Sequence, residues 1–296
     1  MAVSERSLVV RELKVTLEIL VRNPVSLVGL IIVLAFIIIG IIGPYIVPYP
    51  AQAWGEHGPS NARWLPPSLA HPFGTDDFGR DVFSRVIVGA RLSLVAGVSV
   101  VGLALLIGVP LGLVAGYFGG LISSIVNGVV EVFMAFPPIL LALVVAATLG
   151  RGYWVAILAL VISWWPWYSR LVKSVVDEVK AQPYIKAAEL LGLPAWRILF
   201  RHILPNVLAP VIVQATLDIG SAILSMAALS FLGLGAQPPL PDWGLMVALG
   251  KDQIPDYWWV PVFPGLAIFL VVLGFNLLGD GLREAMDPKL RRRWAK

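Results

Sequence analysis

Apolar positions fall in long blocks along this chain, and polar positions gather in a few stretches between them. The first block, Pro24 to Pro48, holds 25 residues without a charged side chain. That is enough helix to cross a hydrocarbon layer of roughly 30 Å, so it predicts a first transmembrane helix. Leu92 to Val130 is uncharged over 39 residues, too many for one crossing, and divides naturally at Tyr117 to Gly120. Further spans are predicted at about Leu121–Leu149, Tyr153–Ser169, Val207–Leu234 and Tyr257–Gly279. The second span carries Gly108, Gly112 and Gly116 in a stripe that lets a neighbouring helix approach closely, with a kink expected at Pro110. Ordinary helix packing accounts for that stripe.

Composition agrees with the blocks. Of 296 residues, 58% are hydrophobic and 14% charged, and mean hydropathy is +0.85; a soluble domain cannot cover its surface with so few polar groups. The chain reads as an all-α integral membrane protein with six transmembrane helices. Net charge is +4, but the basic residues flank apolar spans instead of forming a nucleic-acid surface, so no nucleic-acid partner is expected. There is no cysteine, and His57, His71 and His202 are the only histidines. Nothing pairs them at metal-ligand spacing, so no metal is expected.

The placement of Lys and Arg sets the expected orientation. With both termini cytoplasmic, sixteen basic residues lie inside, and six lie outside: Arg63, Arg80, Arg85, Arg91, Arg151 and Lys251. The positive-inside rule favours this arrangement, which makes the chain a multi-pass protein of the cytoplasmic membrane. Met1 to Asn23 then reads as a basic amphipathic helix lying on membrane lipid; the span after it is too long for a cleaved signal peptide. Arg283 to Lys296 is a basic cytoplasmic tail.

Between the fourth and fifth spans sits a polar, basic island, Tyr184 to Asn206. Helix formers run from Lys186 to Leu191, Gly192 suits a left-handed position after a helix, Pro194 suits the first turn of a second helix, and Pro205 marks a kink or an end. A helix-glycine-helix knob is shaped to press into a partner; the alternative is an amphipathic loop resting on lipid.

Candidate chemistry is sparse. Glu131 in the third span and Asp218 in the fifth are expensive in lipid and are expected near an interface or facing a polar partner, as pathway groups or polar packing. Asn276 and Asp280, four apart on the last helix, are expected to satisfy each other or a neighbour. On the outer side Asp76 and Asp77 are expected to cap and turn the segment before the second span, and Asp76, Arg80, Asp81, Arg85 and Arg91 to form an ion-pair network or meet a docked protein. Trp164, Trp165, Trp167 and Tyr168 suit an interfacial belt; Trp54, Trp64, Trp243, Trp258 and Trp259 suit either a belt or sugar stacking. No catalytic residue is expected. The chain has no Ser-His-Asp set, no GxSxG elbow and no Walker A motif: Gly244 to Lys251 has five residues between its glycines, and Asp252 stands where Ser or Thr is needed. A proton-driven transporter using Glu131 and Asp218, and a membrane-embedded hydrolase, are the alternatives from other classes.

Specific stretches carry a resemblance. Lys186-Ala187-Ala188, Gly192 and Leu204-Pro205 resemble the EAA loop of ATP-binding-cassette importer permeases, with Lys186 at the usual glutamate position and His202 at the usual isoleucine position beside Ile203. HPFGTDDFGRDVFSRVIVGARLSL at 71–94, LSFLGLGAQPPLPDWG at 229–244, FNLLGDGLREAMDPKLR at 275–291 and RNP at 22–24 are similar to the C-type subunit of dipeptide, oligopeptide and nickel importers. The similarity runs from about Asn23 to Arg291.

The resemblance implies a type I (MetI-like) importer permease with cytoplasmic coupling helices. It implies a homologous B-type permease subunit, two cytoplasmic ATP-binding subunits that hold ATP and Mg, and an extracytoplasmic substrate-binding protein; no cofactor is expected in this chain. It divides the chain into an N-terminal helix (1–23), a first span (24–48), an extracytoplasmic segment (49–90), a five-helix core (91–280) with a coupling loop at 178–206, and the tail (281–296). Tyr184, Lys186, Ala187, Ala188, Leu191, Gly192, Trp196, Leu204 and Pro205 are the implied ATPase-coupling residues. Peptides are the expected cargo; oligosaccharides and nickel are open within the same resemblance.

Overall fold

The computed structural model describes residues 15–286. Residues 1–14 of the expected surface helix and 287–296 of the basic tail lie outside the described residues; residues 15–22 are helical. Among the described residues the secondary structure is helical, apart from one isolated antiparallel bridge between Thr75 and Asp81.

Helix α1 (Pro24–Ile46) starts where the sequence places its first span. Pro24 sets the first turn, and the Asn23 side chain accepts from the backbone N–H groups of Val25 (3.0 Å) and Ser26 (3.5 Å). Asn23 Nδ2 also donates to Glu284 Oε2 at 2.8 Å, joining this end of α1 to the last helix.

Helix α2 (Val82–Phe118) has 37 residues, about 55 Å of helix. It begins ten residues before Leu92, because the carboxylate of Asp81 accepts from Ser84 N–H at 2.7 Å and caps it there. Hydropathy locates the part of a helix that sits in lipid; capping locates the helix. Arg85, placed by the sequence in the extracytoplasmic segment 49–90, is thus helical, as is Arg91.

The third predicted span is broken. Helices α3 (Gly120–Met134) and α4 (Pro138–Leu149) meet at 84°. Pro137 and Pro138 lack N–H groups and push the residues before them out of the helical region, so one continuous helix from Leu121 to Leu149 does not form. At 15 and 12 residues, neither half alone spans roughly 30 Å.

Helix α5 (Tyr153–Lys180) outruns its predicted end at Ser169, carrying Arg170, Lys173 and Lys180 on its last turns. It packs along α2, where the glycine stripe meets it. A Cβ on Gly108 would lie 2.6 Å from Trp165 O, and one on Gly112 would lie 2.5 Å from Ser169 O. The stripe is a packing seam, as expected.

A short helix, α6 (Pro183–Leu190), and a turn at Ala195–Ile198 lead through a π-helical segment, Leu199–Ile203, into α7 (Leu204–Phe231). Of the kink or end expected at Pro205, the end does not occur, and the helix runs on to Phe231. Leu204 N–H bonds Leu199 O, one residue wider than the α pattern, and so the helix passes the proline without a clash.

The stretch between α7 and the last helix contains α8 (Trp243–Gly250), whose first residues are buried. Asp242 caps it, accepting from Leu245 N–H at 2.9 Å. Helix α9 (Trp259–Met286) completes the bundle. Among the described residues, five helices are long and apolar enough to cross a membrane, or six spans if the bent α3–α4 pair counts as one.

Candidate functional site

Three places gather the polar and exposed groups: a knob at one end of α5 and α7, a polar layer at the other end of the bundle, and a cavity between them.

The knob is α6 and the turn after it. Gly192 has φ +72°, and the N–H of Gly192 bonds Glu189 O (3.0 Å) while that of Leu193 bonds Ala188 O (3.2 Å). This pair of bonds is a Schellman stop, which needs a left-handed residue after the helix. Pro194 precedes the following turn as its cap instead of sitting in its first turn.

The helical period then sorts side chains. Ile185, Ala188, Ile198 and Ile203 are buried in a cluster with Val172, Val176 and Val207, which fixes the knob to α5 and α7. On the outside are Tyr184, Lys186, Ala187, Trp196 and Phe200, with Leu190 and Leu191 89% and 82% exposed. Leu204 is partly buried and Pro205 exposed. Ala188, read as part of the docking face, thus faces the protein's own core. Leu190 and Phe200 join the outer face although neither stood out in sequence; for Leu190 the signal is its place five residues after Ile185, about 140° around the helix.

At the other end, Asp76 is the hub. Its Oδ1 accepts from the backbone N–H groups of Phe78 and Arg80, both at 2.9 Å, and its Oδ2 accepts from Arg80 Nε at 2.7 Å. Arg85 Nε lies 3.9 Å from the same oxygen. Arg85 also donates to the carbonyls of Gln52 (3.4 Å), Pro239 (3.2 Å) and Leu240 (3.4 Å), tying the segment before α2 to the one before α8. Asp81, besides capping α2, meets His71 Nδ1 at 2.8 Å.

Asp76, Arg80, Asp81 and Arg85 are all buried; Arg91 is exposed and lies outside the network. Asp77 sits at its rim. Burial, with the neighbouring Asp76 charge second, pushes its carboxyl up, and Arg80 opposes this. Burial likewise pushes Asp242 up, against its hydrogen bond from Leu245. Trp243 is buried beside this layer, donating from Nε1 to Val86 O at 2.9 Å, and Trp259 donates to Thr75 O at 3.1 Å. Both indoles are packing groups, so neither belt nor sugar platform describes them. Trp54 and Trp258 remain exposed.

Asp218 lines a cavity of about 440 Å³ bordered by α5, α7 and the α3–α4 break. Tyr168 Oη donates to its Oδ2 at 2.7 Å and Gln214 Nε2 to its Oδ1 at 2.9 Å. The aromatic run on α5 is divided: Trp165 and Tyr168 are buried in the bundle, while Trp164 and Trp167 line the cavity. Glu131 is exposed on α3 and does not join Asp218. Asn276 and Asp280 are exposed on α9, and no hydrogen bond joins them among the described residues, so of the expected partners, each other or a neighbour, the first is not seen. No group of His, Asp and Glu able to hold a metal occurs among the described residues.

This geometry meets known proteins as follows. Residues 108–292 match the family described as binding-protein-dependent transport system inner membrane component, and residues 13–67 match the N-terminal TM domain of oligopeptide transport permease C. The dipeptide transport system permease protein of Alkalihalophilus pseudofirmus is 48% identical over 91% of this chain and 88% of its own length. A probable D,D-dipeptide transport system permease protein of Escherichia coli K12 is 42% identical, covering 90% and 88%. The glutathione transport system permease protein of Pectobacterium atrosepticum is also 42% identical, covering 91% and 89%.

Proposed function

Because the chain belongs to the family of binding-protein-dependent transport system inner membrane components, we propose that it is one permease half of an ATP-driven importer of short peptides, which couples to its motor through the α6 knob. The α-helical bundle and the absence of a Walker A motif in the sequence fit a chain that moves cargo and leaves hydrolysis to ATP- and Mg-binding partner subunits. A homologous B-type permease completes the pathway, and a substrate-binding protein delivers cargo at the face carrying the Asp76 layer. Both termini and the knob are cytoplasmic, following the excess of Lys and Arg on that side. Peptides are favoured over oligosaccharides and nickel because the relatives above are named for a dipeptide, a D,D-dipeptide and glutathione.

The observation that carries the coupling role is the two-sided knob: isoleucines anchor it to α5 and α7, while Leu190, Leu191 and Trp196 are left outside. Exposed apolar groups of this size on a rigid mount mark a docking surface. Movement of the ATP-binding subunits would carry the knob as a lever and bias α5 and α7 between two arrangements.

Gly192→Val tests this reading. Nothing lies within 4 Å of a Cβ added there, so the substitution acts through backbone strain alone, of about 1–2 kcal/mol for a left-handed L-residue. The expected result is a chain that still inserts and pairs with its permease partner but copurifies poorly with the ATP-binding subunits and supports little uptake. Unchanged ATPase copurification and uptake would rule the coupling role out.

A further inference from the structure

We propose that the Asp218 cavity is a transit site for the protonated amino group of the cargo, an inference that rests on the peptide-importer reading above. Asp218 lies midway along α7, and each oxygen of its carboxylate accepts one hydrogen bond, Oδ2 from Tyr168 Oη and Oδ1 from Gln214 Nε2. A carboxylate offers about four acceptor positions, so these two bonds leave others open on a residue that lines the cavity. Among the described residues no Lys, Arg or His lines that cavity, so no cation in the described wall balances the charge.

The remaining wall suits a small organic cation. Trp164 and Trp167 supply aromatic faces, and Ser163 and Ser221 supply small polar positions; an ammonium gains from aromatic faces as well as from a carboxylate. A volume of about 440 Å³ lies in the range of pockets for small ligands, about 300–1,000 Å³. The break between α3 and α4 places Phe136 and Pro138 at the cavity, so these walls belong to a bent element and not to a straight, closely packed helix. A carboxylate within a membrane span needs a partner. An ammonium passing through the cavity supplies one, and one bond of this kind is weak enough to release it again.

The test uses the assembled importer in nanodiscs, without nucleotide, titrated with phenethylammonium and with its uncharged counterpart 2-phenylethanol; tryptophan fluorescence reports binding. Asp218→Asn keeps an acceptor for Tyr168 and removes the charge. It is expected to weaken the ammonium probe about tenfold or more, the worth of one charge-assisted hydrogen bond, and to leave the alcohol unchanged. Tyr168→Phe keeps the charge and is expected to shift ammonium affinity by less than about threefold. An unchanged ammonium affinity in Asp218→Asn overturns the site. So does an equal loss for both probes, or a Tyr168→Phe loss as large as that of Asp218→Asn, since Asp218 would then be a packing pin.

Uptake of dialanine by the same complexes in proteoliposomes separates the two readings. ATP-dependent uptake by the wild type that falls about tenfold in Asp218→Asn supports both. Charge-dependent probe binding with no dialanine uptake by the wild type sinks the peptide-importer reading and leaves an ammonium site that is not a peptide transit site.

Discussion

The two ends of the bundle use their side chains in opposite ways. The layer around Asp76 is rich in charge and turned inward: Asp76, Arg80, Asp81 and Arg85 are buried and bonded to one another, to backbone and to His71. The knob after α5 has its apolar side chains turned outward, with Leu190, Leu191, Trp196 and Phe200 exposed beside Lys186. Charge in a loop suggests recognition, yet here the charged layer has its partners within the chain. The apolar knob is the surface left without them, and it is where a partner gains most by binding.

The sharpest way to break this contrast is to remove the hub. Asp76→Ala takes away the carboxylate shared by Arg80 and Arg85, which are 4% and 1% exposed, and leaves two guanidinium groups close together with only the rim carboxylate of Asp77, 3.7 Å from Arg80, nearby. Unpairing a buried charge costs about 3–5 kcal/mol, so a marked fall in the thermal midpoint of the purified protein is expected. Arg91→Ala, at an exposed position outside the network, is expected to change stability by less than about 0.5 kcal/mol. Equal effects from the two substitutions would show that the layer is not a structural unit.

At the knob the expected pattern reverses. Leu190→Asp and Trp196→Ala alter side chains that touch solvent, so the midpoint should hardly move. Association with the ATP-binding subunits should weaken by about 2 kcal/mol for a central apolar anchor, roughly thirtyfold. Ile185→Asp, one helical face away, should instead unfold the knob, because that side chain is fully buried. Pull-down affinity and thermal midpoint, measured together on these three variants, separate docking from anchoring.

How much of this was legible in the sequence differed between the same two regions. The start of α1 follows directly from where charge stops, at Asn23, and Gly192 announced its left-handed turn, because both signals are local. The start of α2 was hidden. Arg85 and Arg91 look like loop charges until three backbone carbonyls, two of them more than 150 positions away, are seen to accept from Arg85. The bend between α3 and α4 was hidden for another reason: hydropathy sums over Pro137 and Pro138 without registering that they interrupt the hydrogen-bond ladder. The family motif named Ala187 and Ala188 together, but only the helical period around Ile185 shows that one faces out and the other in. The Asp218 cavity needed α5 and α7 side by side, which no periodicity within either helix encodes.

The smallest expected effect lies where the charged layer meets α8. Asp242 is 2% exposed and caps that helix, and burial holds its carboxyl above the ordinary range in spite of the bond from Leu245. A carboxyl whose pKa is raised on folding binds its proton more tightly in the folded state. Its contribution to stability is therefore fully present below the unfolded value of about 3.9 and is lost as pH rises through the raised folded value. Asp242→Asn keeps a side-chain oxygen for the Leu245 N–H, and Asn caps helices as well as Asp does. The variant should match the wild type at low pH, gain on it as pH rises from about 3.9 to the raised value, and keep a constant lead above it, which thermal midpoints measured from acid to neutral pH would reveal. Asp242→Ala, by contrast, removes the cap at every pH and should lose about 1 kcal/mol throughout. If Asp242→Asn is instead less stable than the wild type at neutral pH, the ionised carboxylate is contributing more through its bonds to the α8 N-terminus than burial takes away, and the charged layer extends one charge further than the Asp76 network.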